Sequence, residues 1–329
     1  MKSIVRWGIL GTGRIAKAYA EGLKNTRNGK LVAIASRNRE TAELFAQEWE
    51  IENAYCSYEE LAKSPLIDAV YVATPHTEHA KNAILCMNAG KAVLCEKPIA
   101  VNAKEVAKMI SAARQNNVLL MEGMWSRFPP LMDEVRRMIA EKEIGEIRTI
   151  HADFGFRPEV KEPNSRLFNP ELAGGSLLDV GIYPISLSFM LNGSPSSFIS
   201  DWTVGETGVD EQASVMFKYN NGSMAILHSS LESETGQEAF ISGTEGSIRI
   251  HKQCWKPQIM TVTDWRSGKT KKVEFPFQGN GFNYEAEHFS GLLLKGEKES
   301  PIMPLEESLK IITTIDEIRL KWGLSYPFE

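Results

Sequence analysis

Trp7-Gly8-Ile9-Leu10-Gly11-Thr12-Gly13-Arg14-Ile15-Ala16 is the stretch that decides the fold. Ile4 to Leu10 reads as a short apolar strand, Gly11 and Gly13 follow at once, and helical spacing resumes from Ile15 to Leu23. A strand that turns on glycines into a helix meets the physical requirement for holding a pyrophosphate. Gly11 permits the tight turn, and Gly13 lets the backbone approach the phosphates with no side chain in the way. Ala16 lets the helix pack closely on the strand, and the N–H groups at the helix start meet the negative charge. Gly11, Thr12, Gly13, Arg14 and Ile15 are therefore expected to line a dinucleotide site.

The second strand, Lys30-Leu-Val-Ala-Ile-Ala-Ser36, ends roughly 25 residues after the first glycine, where NAD-selective sites carry an acid for the ribose 2′-hydroxyl. Here Ser36-Arg37-Asn38-Arg39 stands in its place. A carboxylate would repel a 2′-phosphate, whereas a serine hydroxyl and the Arg37 and Arg39 guanidinium groups would bind one by charge-assisted hydrogen bonds. The expectation is NADP(H) in preference to NAD(H), with Arg14 as a further phosphate contact.

Strand and helix signals continue to alternate. Glu40 to Glu50 reads as a helix with Leu44, Phe45 and Trp49 inward. Ala69–Ala73, Ala92–Cys95 and Val118–Met121 read as strands, and His79–Asn88 and Ala103–Asn116 as helices. This rhythm predicts a doubly wound parallel sheet over residues 1–122. Beyond it the strands lengthen and alternate, as in Ile147–Phe156 and Gln212–Tyr219, the latter running into the Asn220-Asn221-Gly222 turn and then Ser223–Ser230. Residues 123–329 are expected to form an α+β substrate-binding domain with a large, mostly antiparallel sheet, one face covered by the protein's own helices and the other equally compatible with a subunit interface or with solvent. Its last helix, Ser308–Lys321, could pack on either domain.

Composition sets bounds. A chain of 329 residues suits two domains, and 43% hydrophobic with 24% charged residues is ordinary for a globular protein. Lys plus Arg number 37 against 42 Asp plus Glu, for a net charge of −5 with no basic tract, which argues against nucleic acid as a partner. Cys56, Cys86, Cys95 and Cys254 show no metal-ligand spacing, so no metal is expected. With no signal-like segment and no apolar stretch read as long enough to span a bilayer, cytoplasmic residence with reduced cysteines is the expectation, with no membrane partner.

Two loops follow strands of the first domain, Ala73-Thr74-Pro75-His76-Thr77-Glu78-His79 and Glu96-Lys97-Pro98. Ligands of an open parallel sheet bind beyond the carboxyl ends of its strands, so both loops should face the cofactor. Lys97 could anchor a substrate hydroxyl or lower a neighbour's pKa, though a lone loop lysine is more often a surface residue. A third cluster is Ala173-Gly174-Gly175-Ser176-Leu177-Leu178-Asp179-Val180-Gly181-Ile182-Tyr183-Pro184. If Ser176–Phe189 is helical, Asp179 and Tyr183 share a face and could bind a hydroxyl and shuttle its proton. The plainer reading is a helix start capped by Ser176.

GTGRIA, EKP and GGSLLDVGIYP, in this order and spacing, resemble the Gfo/Idh/MocA family over essentially the whole chain. Within it, Val72–His79, Leu94–Pro98, Met121–Phe128 and Leu177–Pro184 look like the dihydrodiol dehydrogenase group. The resemblance implies a Rossmann domain followed by an open-faced sheet, NADP-dependent oxidoreduction and homodimers built through that sheet. It puts Lys97 at the family's catalytic lysine, Asp179 at its acid and Tyr183 at its acid/base position. Thr74, His76, His79, Glu96 and Arg166 correspond to positions near the coenzyme. Trp125 corresponds to a position lining the cleft. With Phe154, Phe156 and Tyr284 it could form an apolar wall for substrate, although for at least two of the four an ordinary place in the core is the plainer reading.

The expected activity is hydride transfer between NADP(H) and a secondary alcohol or ketone of a sugar, polyol or cyclic diol. Tyr183 would serve as acid/base, assisted by Lys97. A non-catalytic NADP-binding sensor and an NAD-dependent, redox-assisted glycosidase remain the alternatives.

Overall fold

The glycine-bearing opening stretch becomes a central strand of a parallel sheet. In the computed structural model, which describes residues 3–329, the chain begins β1 (Val5–Leu10), α1 (Arg14–Leu23), β2 (Gly29–Ala35), α2 (Arg39–Trp49), β3 (Asn53–Tyr55) and α3 (Tyr58–Lys63). It continues β4 (Ala69–Val72), α4 (His79–Asn88), β5 (Ala92–Glu96), α5 (Ala103–Gln115) and β6 (Leu120–Gly123). All six strands pair in parallel in the order β3-β2-β1-β4-β5-β6. The order reverses between β1 and β4, the switch point at which dinucleotides bind in this architecture.

Strands β4 and β5 are buried at every position, as continuous apolar runs covered by helices on both faces must be. The helices start on side-chain caps. Asn38, Ser57 and Asn102 accept the N–H groups of Thr41, Glu60 and Glu105, each worth about 1 kcal/mol. One expectation fails in α2. Leu44 is 58% exposed, and the buried stripe is Ala42, Phe45 and Ala46. Leu44 falls outside that stripe on a helix of 3.6 residues per turn, and Trp49 is only partly buried while stacking on Phe45.

The second half contains α6 (Pro130–Ala140), β7 (Ile147–Gly155), α7 (Ile182–Asn192), β8 (Ser197–Val204), β9 (Asp210–Lys218), β10 (Met224–Ser230), β11 (Ala239–Gly243), β12 (Gly246–Ile250), β13 (Ile259–Asp264) and β14 (Thr270–Glu274). Its sheet runs β14-β13-β12-β11-β7-β10-β9-β8, antiparallel throughout except for β7 beside β10. The Asn220-Asn221-Gly222 turn does join β9 to β10, with Gly222 at φ 82°.

Register gives the sheet one dry face and one open face. The cross-strand row Phe217, Ala225, Ile150, Ile241 and Ile248 is buried to 0% exposure. The neighbouring row, Ile199-Met216-Ile226-His151-Phe240-Arg249, points the other way. In that row Ile199, Ile226 and Phe240 are exposed.

The chain then forms α8 (Phe282–Lys295) and α9 (Leu305–Trp322). Two compact units result: residues up to Phe128 with Phe277–Ile312, and Pro129–Pro276 with Thr313–Glu329. Helix α9 thus gives its first turns to one unit and the rest to the other. In the first unit α8 packs on β1, where the Trp7 indole N–H donates to Ser290 Oγ at 3.1 Å and the Phe289 ring lies 5.0 Å from Trp7. Contrary to expectation, the segment Pro170–Asn192 has the length and apolarity that crossing a membrane would need. The relevant window is 89% buried, as in the core helix of a globular domain.

Candidate active site

The glycine loop connects β1 to α1 as the sequence requires. Gly11 sits at φ 100°, and a Cβ on it would lie 2.8 Å from the Ala73 carbonyl oxygen, so both its backbone angle and its surroundings demand glycine. In front of Gly13 the space is open: among the described residues nothing lies within 4 Å of where a Cβ would point. Gly13 is the N-cap of α1 without a side-chain cap bond, so no capping side chain occupies the first helical N–H groups, with Arg14 exposed and Thr12 and Ile15 half-buried in the same loop. These residues fit a dinucleotide pyrophosphate.

At the end of β2 the expected phosphate ligands part company. Arg37 is exposed and its guanidinium meets Tyr58, opposing the upward push that burial gives that phenol. Arg39 is exposed too, beside Cys56 Sγ at 3.6 Å and Glu43 at 3.6 Å. Ser36 is mostly buried, its hydroxyl 2.7 Å from Thr41 Oγ1 and accepting the Asn38 N–H at 3.3 Å.

The loops after β4 and β5 are tied to each other. His79 is fully buried, with Nδ1 2.8 Å from the Pro98 carbonyl oxygen and Nε2 2.8 Å from that of Thr74. Burial pushes its pKa down to about 4, opposed by these two backbone contacts and assisted by the charge of Lys97. At neutral pH the ring is therefore uncharged, and its single N–H donates to one of the two carbonyls while the ring lies between the loops. Thr74 Oγ1 accepts from Asn82 at 3.2 Å, and the His76 ring stands 5.6 Å from His79.

Lys97, half-buried, precedes a cis peptide bond to Pro98. Its N–H donates to Glu96 Oε2 at 3.0 Å, and Glu96 also accepts from the Tyr71 hydroxyl. On the far side of the proline, fully buried Glu122 accepts the Ile99 N–H at 3.1 Å. Trp125 stacks on Phe282 with centroids 4.6 Å apart, and the Tyr284 hydroxyl accepts the Gln278 N–H at 2.9 Å.

In the second unit, Asp179 lies on a π-helical turn, Leu177–Gly181, that runs into α7; the segment expected as one α-helix is a composite. The Asp179 carboxylate is nearly buried and gripped by both terminal nitrogens of Arg166, Nη2 at 3.3 Å from Oδ2. Tyr183 is half-buried against Phe154, centroids 5.6 Å apart, and Phe154 stacks on Trp255 at 3.5 Å. Phe156 joins the same cluster.

Ser176 does not cap through its side chain. Its hydroxyl donates to Asp210 Oδ2 at 2.8 Å, and Asp210 itself takes the Leu177 N–H at 2.6 Å. Burial pushes Asp210 up to about 6 despite those bonds. The structure thus joins Glu96 to Lys97, His79 to Thr74 and Arg166 to Asp179. It places Trp125 and Tyr284 in the first unit and Phe154 and Tyr183 in the second. Glu122 and Asp210 were not singled out from the sequence, because each acts on a backbone group a strand or more away.

The comparisons agree with this architecture. Residues 5–124 match the oxidoreductase family with an NAD-binding Rossmann fold, and residues 132–249 match the GFO/IDH/MocA C-terminal domain. Trans-1,2-dihydrobenzene-1,2-diol dehydrogenase of Xenopus tropicalis is 40% identical over 98% of this chain and 99% of its own. The Homo sapiens enzyme of the same name is 36% identical over 98% of each. Among solved structures, an aldose-aldose oxidoreductase from Caulobacter crescentus complexed with glycerol superposes with a TM-score of 0.88 at 25% identity, covering 98% of both chains. KijD10, a 3-ketoreductase from Actinomadura kijaniata in complex with NADP and TDP-benzene, gives 0.85 at 25% identity over 96% of this chain and 97% of its own. With both family domains matched in order and relatives aligned end to end, the chain belongs to the Gfo/Idh/MocA family of oxidoreductases.

Proposed function

We propose that the protein transfers hydride between NADP(H) and a secondary alcohol or its ketone on a sugar, polyol or cyclic diol. The observation that carries this reading is the carboxyl end of the parallel sheet. There the open glycine cradle after β1, Arg37 after β2 and the braced Lys97 loop after β5 lie on one edge. The end of β2 bears no carboxylate to repel a 2′-phosphate. Full-length likeness to dihydrodiol dehydrogenases supports the substrate class.

The bound nicotinamide supplies the hydride acceptor or donor. The chain supplies the proton chemistry. In oxidation, Tyr183 Oη takes the proton of the substrate hydroxyl; in reduction, the same phenol returns it to the forming alkoxide. An unperturbed phenol has a pKa of about 10 and needs a cation to work near neutrality, and Lys97 has that role. Asp179, held by Arg166, presents a fixed carboxylate to orient the substrate.

Fluorescence titration with NADPH and NADH, on wild type and Arg37→Ala, tests the cofactor. NADPH preference that weakens in the mutant is expected; equal affinities unchanged by the mutation would overturn it. NADP⁺-linked oxidation of trans-1,2-dihydrobenzene-1,2-diol and of D-xylose, as a representative pentose, then tests the substrate class. The proposal includes a homodimer through the open sheet face, supported by the exposed row Ile199, Ile226 and Phe240. Light scattering on Ile226→Glu should then report a monomer where wild type gives a dimer.

A further inference from the structure

Tyr326 lies beyond the end of α9 in the second unit, yet its hydroxyl reaches back to the loop that precedes the Asp179 turn. The residue is buried, and it donates to the Gly174 carbonyl oxygen at 3.1 Å, across 152 residues of chain. The segment that carries it is folded around Arg319 of α9, which is buried too. That guanidinium lies 4.6 Å from the Tyr326 ring centroid and donates to the two Glu329 carboxylate oxygens at 3.0 and 2.8 Å. Glu329 in turn accepts the Tyr326 N–H at 3.1 Å, and Phe328 stacks on the ring. The phenol is thus held from behind by a cation and by its own chain.

Gly174 and Gly175 form the corner of the loop that brings Arg166 to Asp179. The Gly174 N–H donates to the Asn169 carbonyl at 3.0 Å, and the Gly175 N–H to that of Leu167 at 2.9 Å. The Gly175 carbonyl accepts the Asp179 N–H at 3.4 Å. Leu167 adjoins Arg166, so the two members of the Arg166–Asp179 ion pair flank one corner. No side chain fits there: a Cβ on Gly174 would lie 2.8 Å from the Leu167 carbonyl oxygen, and Gly175 is at φ 124° with Asp210 Oδ1 where its Cβ would be. Paired glycines are costly to order, and the Tyr326 hydroxyl anchors this pair from outside the loop.

We propose that Tyr326 is a positioning residue for the Arg166–Asp179 pair: by donating to the Gly174 carbonyl it keeps the glycine corner closed and the Asp179 carboxylate in place. The proposal rests on the role given to Asp179 above. Burial, and then the charge of Asp210, hold the phenol well above its ordinary range against the opposing charge of Arg319, so the hydroxyl keeps the proton it donates.

Tyr326→Phe keeps the ring beside Arg319 and removes the donor alone. With NADP⁺ and trans-1,2-dihydrobenzene-1,2-diol, kcat should fall roughly fivefold, the size of one lost hydrogen bond, at an unchanged KM for NADP⁺. In an Arg166→Ala background, where the pair is already broken, the same change should cost less than about twofold. Hydrogen exchange at the Gly174, Gly175 and Asp179 amides should quicken in Tyr326→Phe, while β11 and β12 exchange as in wild type. A kcat equal to that of wild type would show that the corner stands unaided, and the same factor lost in both backgrounds would show mere packing; either overturns the proposal. Wild type that oxidises neither the diol nor D-xylose instead overturns the dehydrogenase reading. Exchange then decides whether Tyr326 holds the corner, and rates unchanged by Tyr326→Phe would overturn that as well.

Discussion

Lys97 and Asp179 are secured in opposite ways. Lys97 is fixed through its main chain: Glu96 takes its N–H, Glu122 takes that of Ile99, and His79 reaches the Pro98 carbonyl. Asp179 is fixed through its side chain, gripped by Arg166 on a turn whose start is tied to Asp210. The first arrangement settles where a side chain begins, the second where it ends. The difference follows from the local folds. A loop beyond a parallel strand leaves N–H groups that nearby buried acids can accept, whereas a helical turn satisfies most of its own.

The sharpest test of the second arrangement is Tyr183→Phe. It should lower kcat about 10²- to 10⁴-fold with little change in melting temperature, because the ring packing on Phe154 is kept. Activity near wild type would remove Tyr183 as the proton carrier.

Asp210 tests how the turn is held. Its folded pKa of about 6 exceeds the ordinary 3.8, so the folded protein keeps a proton that the unfolded chain releases. Stability is therefore lost as pH rises from about 4 to about 6, by about 3 kcal/mol in all. Asp210→Asn should flatten that slope in denaturant unfolding, and a slope that persists would assign it to another group.

Glu122→Ala tests the main-chain arrangement. It strands the buried Ile99 N–H and should cost about 1–3 kcal/mol, with a loss of kcat as the Lys97 loop loosens. Destabilisation with kcat intact would show that Glu96 and His79 suffice. The smallest effect expected is at the cofactor. Arg37→Ala should raise the NADPH dissociation constant about tenfold, near 1.4 kcal/mol, and leave NADH almost untouched.

The first sheet was legible because its signals are local: apolar runs of strand length, glycines at the β1 turn, and caps such as Asn102. The Asn220-Asn221-Gly222 hairpin was legible for the same reason. Leu44 misled because an apolar side chain on an amphipathic helix need not lie on its inner stripe. Strands β13 and β14 offered little signal, since β14 is four-fifths exposed and mostly charged or polar. Lys97, Asp179 and Tyr183 stood out through the motifs around them. Their supports did not, because the Glu122–Ile99 and Asp210–Leu177 bonds span 23 and 33 residues. No short-range spacing encodes such partners.

The late return of the chain bears on how the protein is made. The strands of the first sheet leave the ribosome well before Phe277–Ile312, yet that segment belongs to their unit. Until α8 arrives, Trp7 lacks Ser290 and Phe289, and the aromatic floor around Tyr19 stays uncovered. An N-terminal fragment cut at the end of β6 would keep the dinucleotide motif and leave that floor bare to solvent and to other nascent chains. Completion of the first unit therefore waits on translation through Ile312.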